Sequence, residues 1–340
     1  MPSTLRLDPN HLADLDRAAS ILRAGGTVSF PTETVYGLGA NALDPTAVAR
    51  IFSAKQRPAW DPLIVHLASI SALPTVAEIP PELEPRIQAL AAAFWPGPLT
   101  LLLPRSAAIP DSVTAGRPLV GVRVPAHPVA LNLLRLAAIP IAAPSANTFG
   151  HTSPTTAAHV LADLDHRIDA VLDGGPTTVG VESTVLDPQR MIVYRPGAVT
   201  LDQIAAICGA PATLYVPPET ATPEESLPSP GVGIRHYAPR AKVVLVEGTP
   251  QALQHALAAQ QSTPHVGVLL PTDWQIGATP HVLTYAWGDW HIPEQLAARL
   301  FAGLRELDDR GATLILCPLP PAEGVGQAIR DRLEKAARDA

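Results

Sequence analysis

Apolar residues recur at helical spacing over residues 10–24, where Leu12, Leu15, Ala18, Ala19 and Leu22 share a face and Gly25-Gly26 stops the run. A strand at 27–30 follows, with Val28 and Phe30 as its buried positions, and then SFPTETVYGLGANA (29–42) changes style. After Phe30 it brings Pro31, three hydroxyl side chains (Thr32, Thr34, Tyr36), one acid (Glu33) and two glycines (Gly37, Gly39). Asp44-Pro45 reads as an N-cap with proline at the first helical position, opening a helix towards Lys55. LIVHL (63–67), LTLLLP and LVGVRVP read as strands; PELEPRIQALAAAFW and HPVALNLLRLAA read as helices. IPIAAPSAN enters a strand and leaves it through small polar residues, and Ser153-Pro154 opens a helix by the same cap logic. STVLD and MIVYR form a closing pair of strands, and TLDQIAAICG a short helix stopped by Gly209.

The pattern breaks at 211–240, where seven prolines fall among acids without an apolar period; this is an extended linker stiffened by proline. A βα alternation resumes past Lys242: KVVLVEG, a helix at 250–260, HVGVLLP, a helix at 293–307, ATLILCPLP and a last helix near 325–337. That order predicts a small three-layer, Rossmann-like α/β domain with a largely parallel sheet. The expected divisions are a catalytic domain at 1–209, a linker at 210–240 and a second domain at 241–340, with no internal repeat between the halves.

At 340 residues and 47% hydrophobic content the chain has material for two cores. Its net charge of -7 argues against a surface that grips nucleic acid everywhere, and 4% aromatics leaves few stacking platforms. Lysine is confined to Lys55, Lys242 and Lys335. Cys208 and Cys317 have neither metal-ligand nor disulfide-framework spacing. The first twenty residues lack a signal-like apolar run and no stretch reaches membrane-span length, so a cytoplasmic location is expected.

No P-loop, nucleophile elbow, H-E-x-x-H or dinucleotide fingerprint is present. Instead, apolar runs repeatedly end in small or hydroxyl residues with a cation or amide, as in PTETVYGLGAN, KQRPAWDPLIVH, GVRVP, APSANTFGHTSPT, GVESTVLD and YRPG. Such exits in a sheet protein can gather into a pocket. Lys55 and Arg57 fit a solvated helix end; before Pro58 they also make a rigid cation pair suited to polyphosphate. Arg123, inside an apolar strand, is either an edge arginine reaching water or a fork for a carboxylate. His66 fits a hydrogen-bonded core histidine. Ser145, Asn147, Ser153 and Glu182-Ser183-Thr184 fit turn and cap chemistry as well as phosphate or sugar contacts. Residue physics alone stops at an anion-binding α/β pocket.

In order along the chain, FPTETVYGLGANA, KQRP..DPLIVHL, WPGPLT, GVRVPAHP, APSAN..G..SPT, ESTVLD and RPG, then SPG....HYAP in the linker, resemble the YrdC-type threonylcarbamoyl-AMP synthase family in its two-domain form. The resemblance covers essentially the whole chain. It implies a twisted, mixed α/β sheet with a concave, positively lined cavity. It also implies a nucleotidyltransferase that makes L-threonylcarbamoyladenylate and pyrophosphate from ATP, L-threonine and bicarbonate, with Mg2+ accompanying ATP. The product feeds a tRNA threonylcarbamoyl transferase complex.

Carried over residue by residue, the resemblance makes Lys55 and Arg57 catalytic. Together with Asp61, Ser145, Asn147, Ser153, Arg195, Arg235 and Tyr237 they form the ATP site. Thr34, His66, Arg123, Ala143 and Ser183 hold threonine, Arg123 on its carboxylate, and Gly37 and Gly39 let backbone approach the ligand. Arg235, His236 and Tyr237 form a lid over labile intermediates. The chemistry then asks for positioning and charge stabilisation, with no protein nucleophile.

Asp61 stands where asparagine is common, Phe149 replaces a small residue, and VGI precedes Arg235 where a Met-containing form is usual. One alternative is an RNA-binding module without adenylate synthesis, since the single-domain form is associated with double-stranded RNA. Another is a carbamoyl transferase of the hydrogenase-maturation type, against which the absence of a C-x-x-C pair counts. The last domain is expected to position the linker and bind no nucleotide.

Overall fold

The structure, a computed structural model, describes residues 3–216, 236–277 and 281–338. It falls into two compact units: 3–149, 154–178 and 182–216 make the first, while 150–153, 179–181 and the described residues from 236 onward make the second. Nothing in the residue pattern marked the two short segments near 150 and 180 as grouping with the second unit. Of the expected linker, residues 217–235 lie outside the described residues.

In the first unit the elements run β1 (Leu5–Leu7), α1 (Leu12–Arg23), β2 (Val28–Pro31), β3 (Tyr36–Asn41), α2 (Pro45–Lys55), β4 (Ile64–His66), α3 (Glu84–Phe94), β5 (Leu99–Pro104) and α4 (Asp111–Thr114). They continue as β6 (Leu119–Arg123), α5 (Pro128–Ala137), β7 (Ile141–Ala142), α6 (Ala157–Leu164), β8 (Ala170–Leu172), β9 (Thr184–Asp187), β10 (Ile192–Arg195), α7 (Leu201–Cys208) and β11 (Thr213–Leu214). The strands form one mixed sheet in the order β1-β8-β2-β3-β7-β4-β6-β5-β9-β10-β11. Period-two alternation splits its side chains between two cores. Val28, Phe30, Ile141 and Leu172 pack with α1 and α5 on one face; Leu38, Val65, Val122 and Leu186 join the larger core on the other.

Local chemistry explains most boundaries. Asp44 accepts the Thr46 N–H ahead of Pro45, as its position suggested, and Thr200 and Gln203 build a reciprocal capping box before Gly209 ends α7 in the left-handed region. The helix expected at Ser153-Pro154 begins later. Thr156 is its N-cap, accepting from His159, because the Pro154 carbonyl is committed to the Tyr36 N–H at 2.9 Å. The start of the expected linker is also no free coil: Thr213 and Tyr215 donate backbone N–H groups to Met191 and Val193, adding β11 beside β10.

The second unit carries β12 (Lys242–Val246), α8 (Pro250–Ala259), β13 (Val266–Pro271), β14 (Val282–Gly288), α9 (Pro293–Asp309), β15 (Leu314–Pro318) and α10 (Gly324–Ala336). Its sheet is wholly parallel, ordered β12-β15-β13-β14. Leu253 and Leu257 of α8 pack on Val266, Val268, Leu314 and Leu316, while Gly267 meets Leu307 and Gly303 meets Leu269 on the opposite face. These are the three layers expected. The strand β14 was missed: it is an edge strand whose Thr284 and Ala286 are exposed and whose Tyr285 and Trp287 are buried. Period-two alternation was its only signal.

Gly39 shows how tightly the site's framework is packed. A Cβ there would lie 2.7 Å from Phe30 and 2.8 Å from Ile141. Gly39→Ala is therefore expected to cost about 1–3 kcal/mol by overpacking. Differential scanning calorimetry should show the melting temperature of the first unit falling by about 2–4 °C per kcal/mol.

Candidate active site

Two adjacent parallel strands bring the first group together: β4 and β6 pair with His66 opposite Arg123. Arg123 is 3% exposed and held on three sides. Its Nε donates to the Gly97 carbonyl at 3.2 Å, Nη1 to Thr34 Oγ1 at 3.0 Å, and Nη2 stands 2.5 Å from Glu33 Oε1. Thr34 Oγ1 also bonds Thr32 Oγ1 at 2.8 Å, so the turn after β2 is wired into the guanidinium. Burial, then the charge of Arg123, pushes the His66 imidazole down to about 3, against backbone carbonyl contacts that pull it up. His66 is neutral, and its Nδ1 has no hydrogen-bond partner among the described residues. The hydrogen-bonded core histidine that residue physics favoured is therefore only half right: His66 is buried, with its ring edge-on to Phe30 at 6.1 Å.

A second group forms where α2 ends. Gln56 turns the chain with φ 54°, and Lys55 and Arg57 point inward rather than to solvent. Lys55 Nζ donates to the Ser145 and Asn147 carbonyls at 2.6 and 2.5 Å. Burial, then the neighbouring Arg57, pushes its ammonium well below the usual lysine range. The solvated helix end is thus excluded, and the lysine is no bare point charge either. Arg57 donates to the Asp61 and Pro62 carbonyls and pairs with Asp61 Oδ2 at 2.8 Å. Phe149 lies under that guanidinium at 5.9 Å and meets Trp60 edge-on, giving the unusual residue at 149 a partner. Burial raises the Asp61 carboxyl while Arg57, Lys55 and Arg195 draw it down, which places all four groups in one electrostatic neighbourhood.

Arg195, at the end of β10, donates from Nε to the Ser183 carbonyl at 3.0 Å and from Nη2 to Ser183 Oγ at 3.1 Å. Ser183 Oγ also bonds Thr100 Oγ1 at 2.8 Å. Segment 142–146, carrying Ala143 and Ser145, runs beside β3: Leu38 donates to Pro144 and Ala146 donates to Tyr36. A Cβ on Gly37 would lie 3.3 Å from that of Ala143. The two glycines of the 29–42 stretch thus serve the approach of neighbouring segments.

The first unit accordingly gathers Thr34, Lys55, Arg57, Asp61, His66, Arg123, Ala143, Ser145, Asn147, Ser183 and Arg195. Ser153 belongs to the second unit and is fully buried. His236 and Tyr237 are also buried there, the Tyr237 ring stacked on Phe301 at 5.6 Å beneath the Arg332 guanidinium at 5.4 Å. Arg235 lies outside the described residues. Glu33 was missed; its only signal was being the lone acid in a hydroxyl-rich strand exit.

The Sua5/YciO/YrdC family, described as "Telomere recombination", matches residues 20–197, and the family described as "Threonylcarbamoyl-AMP synthase, C-terminal domain" matches 199–338. The chain is 44% identical to a Bacillus subtilis threonylcarbamoyl-AMP synthase, over 94% of this chain and 92% of that one. It is 42% identical to the Pyrococcus abyssi protein of the same description, over 94% and 93%. The crystal structure of P. abyssi Sua5 complexed with L-threonine matches with a TM-score of 0.88 at 40% identity, covering 98% of this chain and 97% of that one.

His66 gives the site a pH signature. It stays neutral in the fold down to about 3, whereas an unfolded histidine protonates near 6.5. Between those values the unfolded chain binds the extra proton, so stability rises with pH across the window and is lost as pH falls. Urea unfolding between about pH 4 and pH 7 should show His66→Gln flattening this acid limb by up to about 1.4 kcal/mol per pH unit.

Proposed function

The chain belongs to the threonylcarbamoyl-AMP synthase family and forms threonylcarbamoyl-AMP; we propose that it does so from ATP, L-threonine and bicarbonate, releasing pyrophosphate, for the threonylcarbamoyladenosine modification of tRNA. The observation that carries this reading is likeness to synthases of that name along both units, over 94% of the chain. Free Cys208 and Cys317, and the lack of any described helix long and apolar enough to cross a membrane, accord with action in the cytoplasm.

On this reading Arg123 takes the threonine carboxylate, with Thr34 and Ser183 beside it. Lys55, Arg57 and Arg195 face the triphosphate with Asn147 and Ser145. The chemistry is attack of a threonine carbamate oxygen on the α-phosphorus, and the chain's part is orientation and charge stabilisation. Cations already fixed by carbonyls need no reorganisation when charge develops on pyrophosphate. Ser153, Arg235 and Tyr237 are assigned to the nucleotide, and Arg235, His236 and Tyr237 to a lid that excludes water.

A magnesium ion fits as a companion of ATP rather than a resident. No described group of three or more His, Cys, Asp or Glu could hold a metal ion. Asp61 Oδ1, buried and without a hydrogen-bond partner, supplies the single carboxylate oxygen that a phosphate-borne magnesium uses. Bound there, the ion would neutralise phosphate charge.

Pyrophosphate release is expected only when ATP, magnesium, bicarbonate and L-threonine are all present, with serine and valine as poor replacements; release independent of threonine would sink the reading. Arg123→Ala should raise the threonine requirement by about 10–100-fold through the lost charge-assisted bonds and leave that for ATP nearly unchanged. Equal effects would assign that arginine to another ligand. Over a magnesium titration, Asp61→Asn should raise the magnesium requirement without altering that for threonine.

A further inference from the structure

Among the described residues, Glu33 is the one carboxylate in contact with Arg123, and nothing above gives it a task. It is 7% exposed, accepts the Ala126 N–H on Oε2 at 3.0 Å, and sets Oε1 against Arg123 Nη2 at 2.5 Å. If Arg123 had only to receive a carboxylate, a buried anion beside it would oppose binding by cancelling its charge. An α-amino acid is different. It carries a carboxylate and an ammonium on one carbon, and a buried Arg⁺/Glu⁻ pair presents the complementary charges side by side.

The donor and acceptor arithmetic leaves room for both heads. A guanidinium has five N–H groups. Arg123 commits one N–H from Nε to Gly97 and one from Nη1 to Thr34, while Nη2 faces Glu33 as an ion pair and has no hydrogen-bond partner among the described residues, so N–H groups remain on both terminal nitrogens. Glu33 Oε2 accepts from Ala126, and Oε1, in the ion pair with Arg123, has no hydrogen-bond donor among the described residues, so both oxygens keep an acceptor position. The nearby His66 is neutral, so it adds no charge to the balance. His127 faces Glu33 as well, and burial, outweighing the pull of Glu33, depresses its imidazole.

We propose that Glu33 is a substrate-binding residue that receives the α-ammonium of the amino acid whose carboxylate lies on Arg123, so that the ion pair reads the zwitterion as a unit. The inference rests on the assignment of Arg123 to the threonine carboxylate. Its consequence is selection for α-amino acids over hydroxy acids and simple carboxylates of the same shape, with the nitrogen that will carry the carbamate oriented on arrival.

The test is equilibrium binding of L-threonine and of (R)-3-hydroxybutanoate, which is threonine without its amino group, to the full-length protein by calorimetry and ligand-observed NMR. The native protein should prefer threonine at least about tenfold, as expected for one charge-assisted contact. Glu33→Gln, which keeps the acceptor for Ala126, should erase most of that preference by weakening threonine alone. Glu33→Asp, with the charge kept, should retain a preference for the amine. Equal weakening of both ligands in Glu33→Gln would make Glu33 a mere support for Arg123 and overturn the proposal. So would native protein that binds both ligands alike, a result that needs no variant to fold. Native protein that binds neither ligand would instead remove the threonine assignment itself, and the proposal with it.

Discussion

A positive charge inside a protein must be surrounded by oxygen, and that requirement organises this site. The ammonium of Lys55 is almost wholly buried, and its nearest oxygens are main-chain carbonyls about ninety residues away, in the turn at 145–147. Desolvating such a group is costly, so the turn and the end of α2 have to meet for the interior to be tolerable. The arginines follow the same rule. Arg57 rests on the Asp61 and Pro62 carbonyls, Arg123 on Gly97 and Arg195 on Ser183. Backbone, which cannot swing away as a side chain can, fixes four cations before any ligand arrives. The ordering of those long side chains is thereby settled during folding rather than on binding.

Much of the first unit could be read from its residues because its signals are local. Asp44-Pro45, Gly209 and the alternating apolar runs each act within a few positions, and each boundary they marked is found. Ser153-Pro154 failed as a helix start because its outcome is tertiary: the Pro154 carbonyl is taken by Tyr36, and the helix waits for Thr156. The site shows the same divide. Residue types picked out Lys55, Arg57 and Arg123, and the family resemblance gave them ligands. Neither could reveal that Glu33 lies against Arg123, since that contact spans ninety residues and crosses from the β2 turn to the end of β6.

In the second unit, alternation of strand and helix set the layers, while the edge strand β14 escaped because Tyr285 and Trp287 are its only buried large side chains. Tyr237 is a further departure from a reading by motif. It adopts φ 66°, a left-handed conformation uncommon for a tyrosine, and its ring is packed between Phe301 and Arg332. In the second unit this packing anchors the residue where that unit's described stretch from 236 onward begins.

The place of β8 between β1 and β2 bears on how the molecule is made. Leu5 pairs with Ala170, and among the described residues β1 has no other partner in the sheet. During synthesis the first strand therefore leaves the ribosome long before its only neighbour exists. At about 5–20 residues per second the delay is roughly 8–33 s. Throughout that interval Leu5 and Leu7 have no ladder to join, and the edge they will close stays open. Made early, β1 can be placed only after β8 is made, and the exposed interval belongs to the nascent chain, not to the finished enzyme.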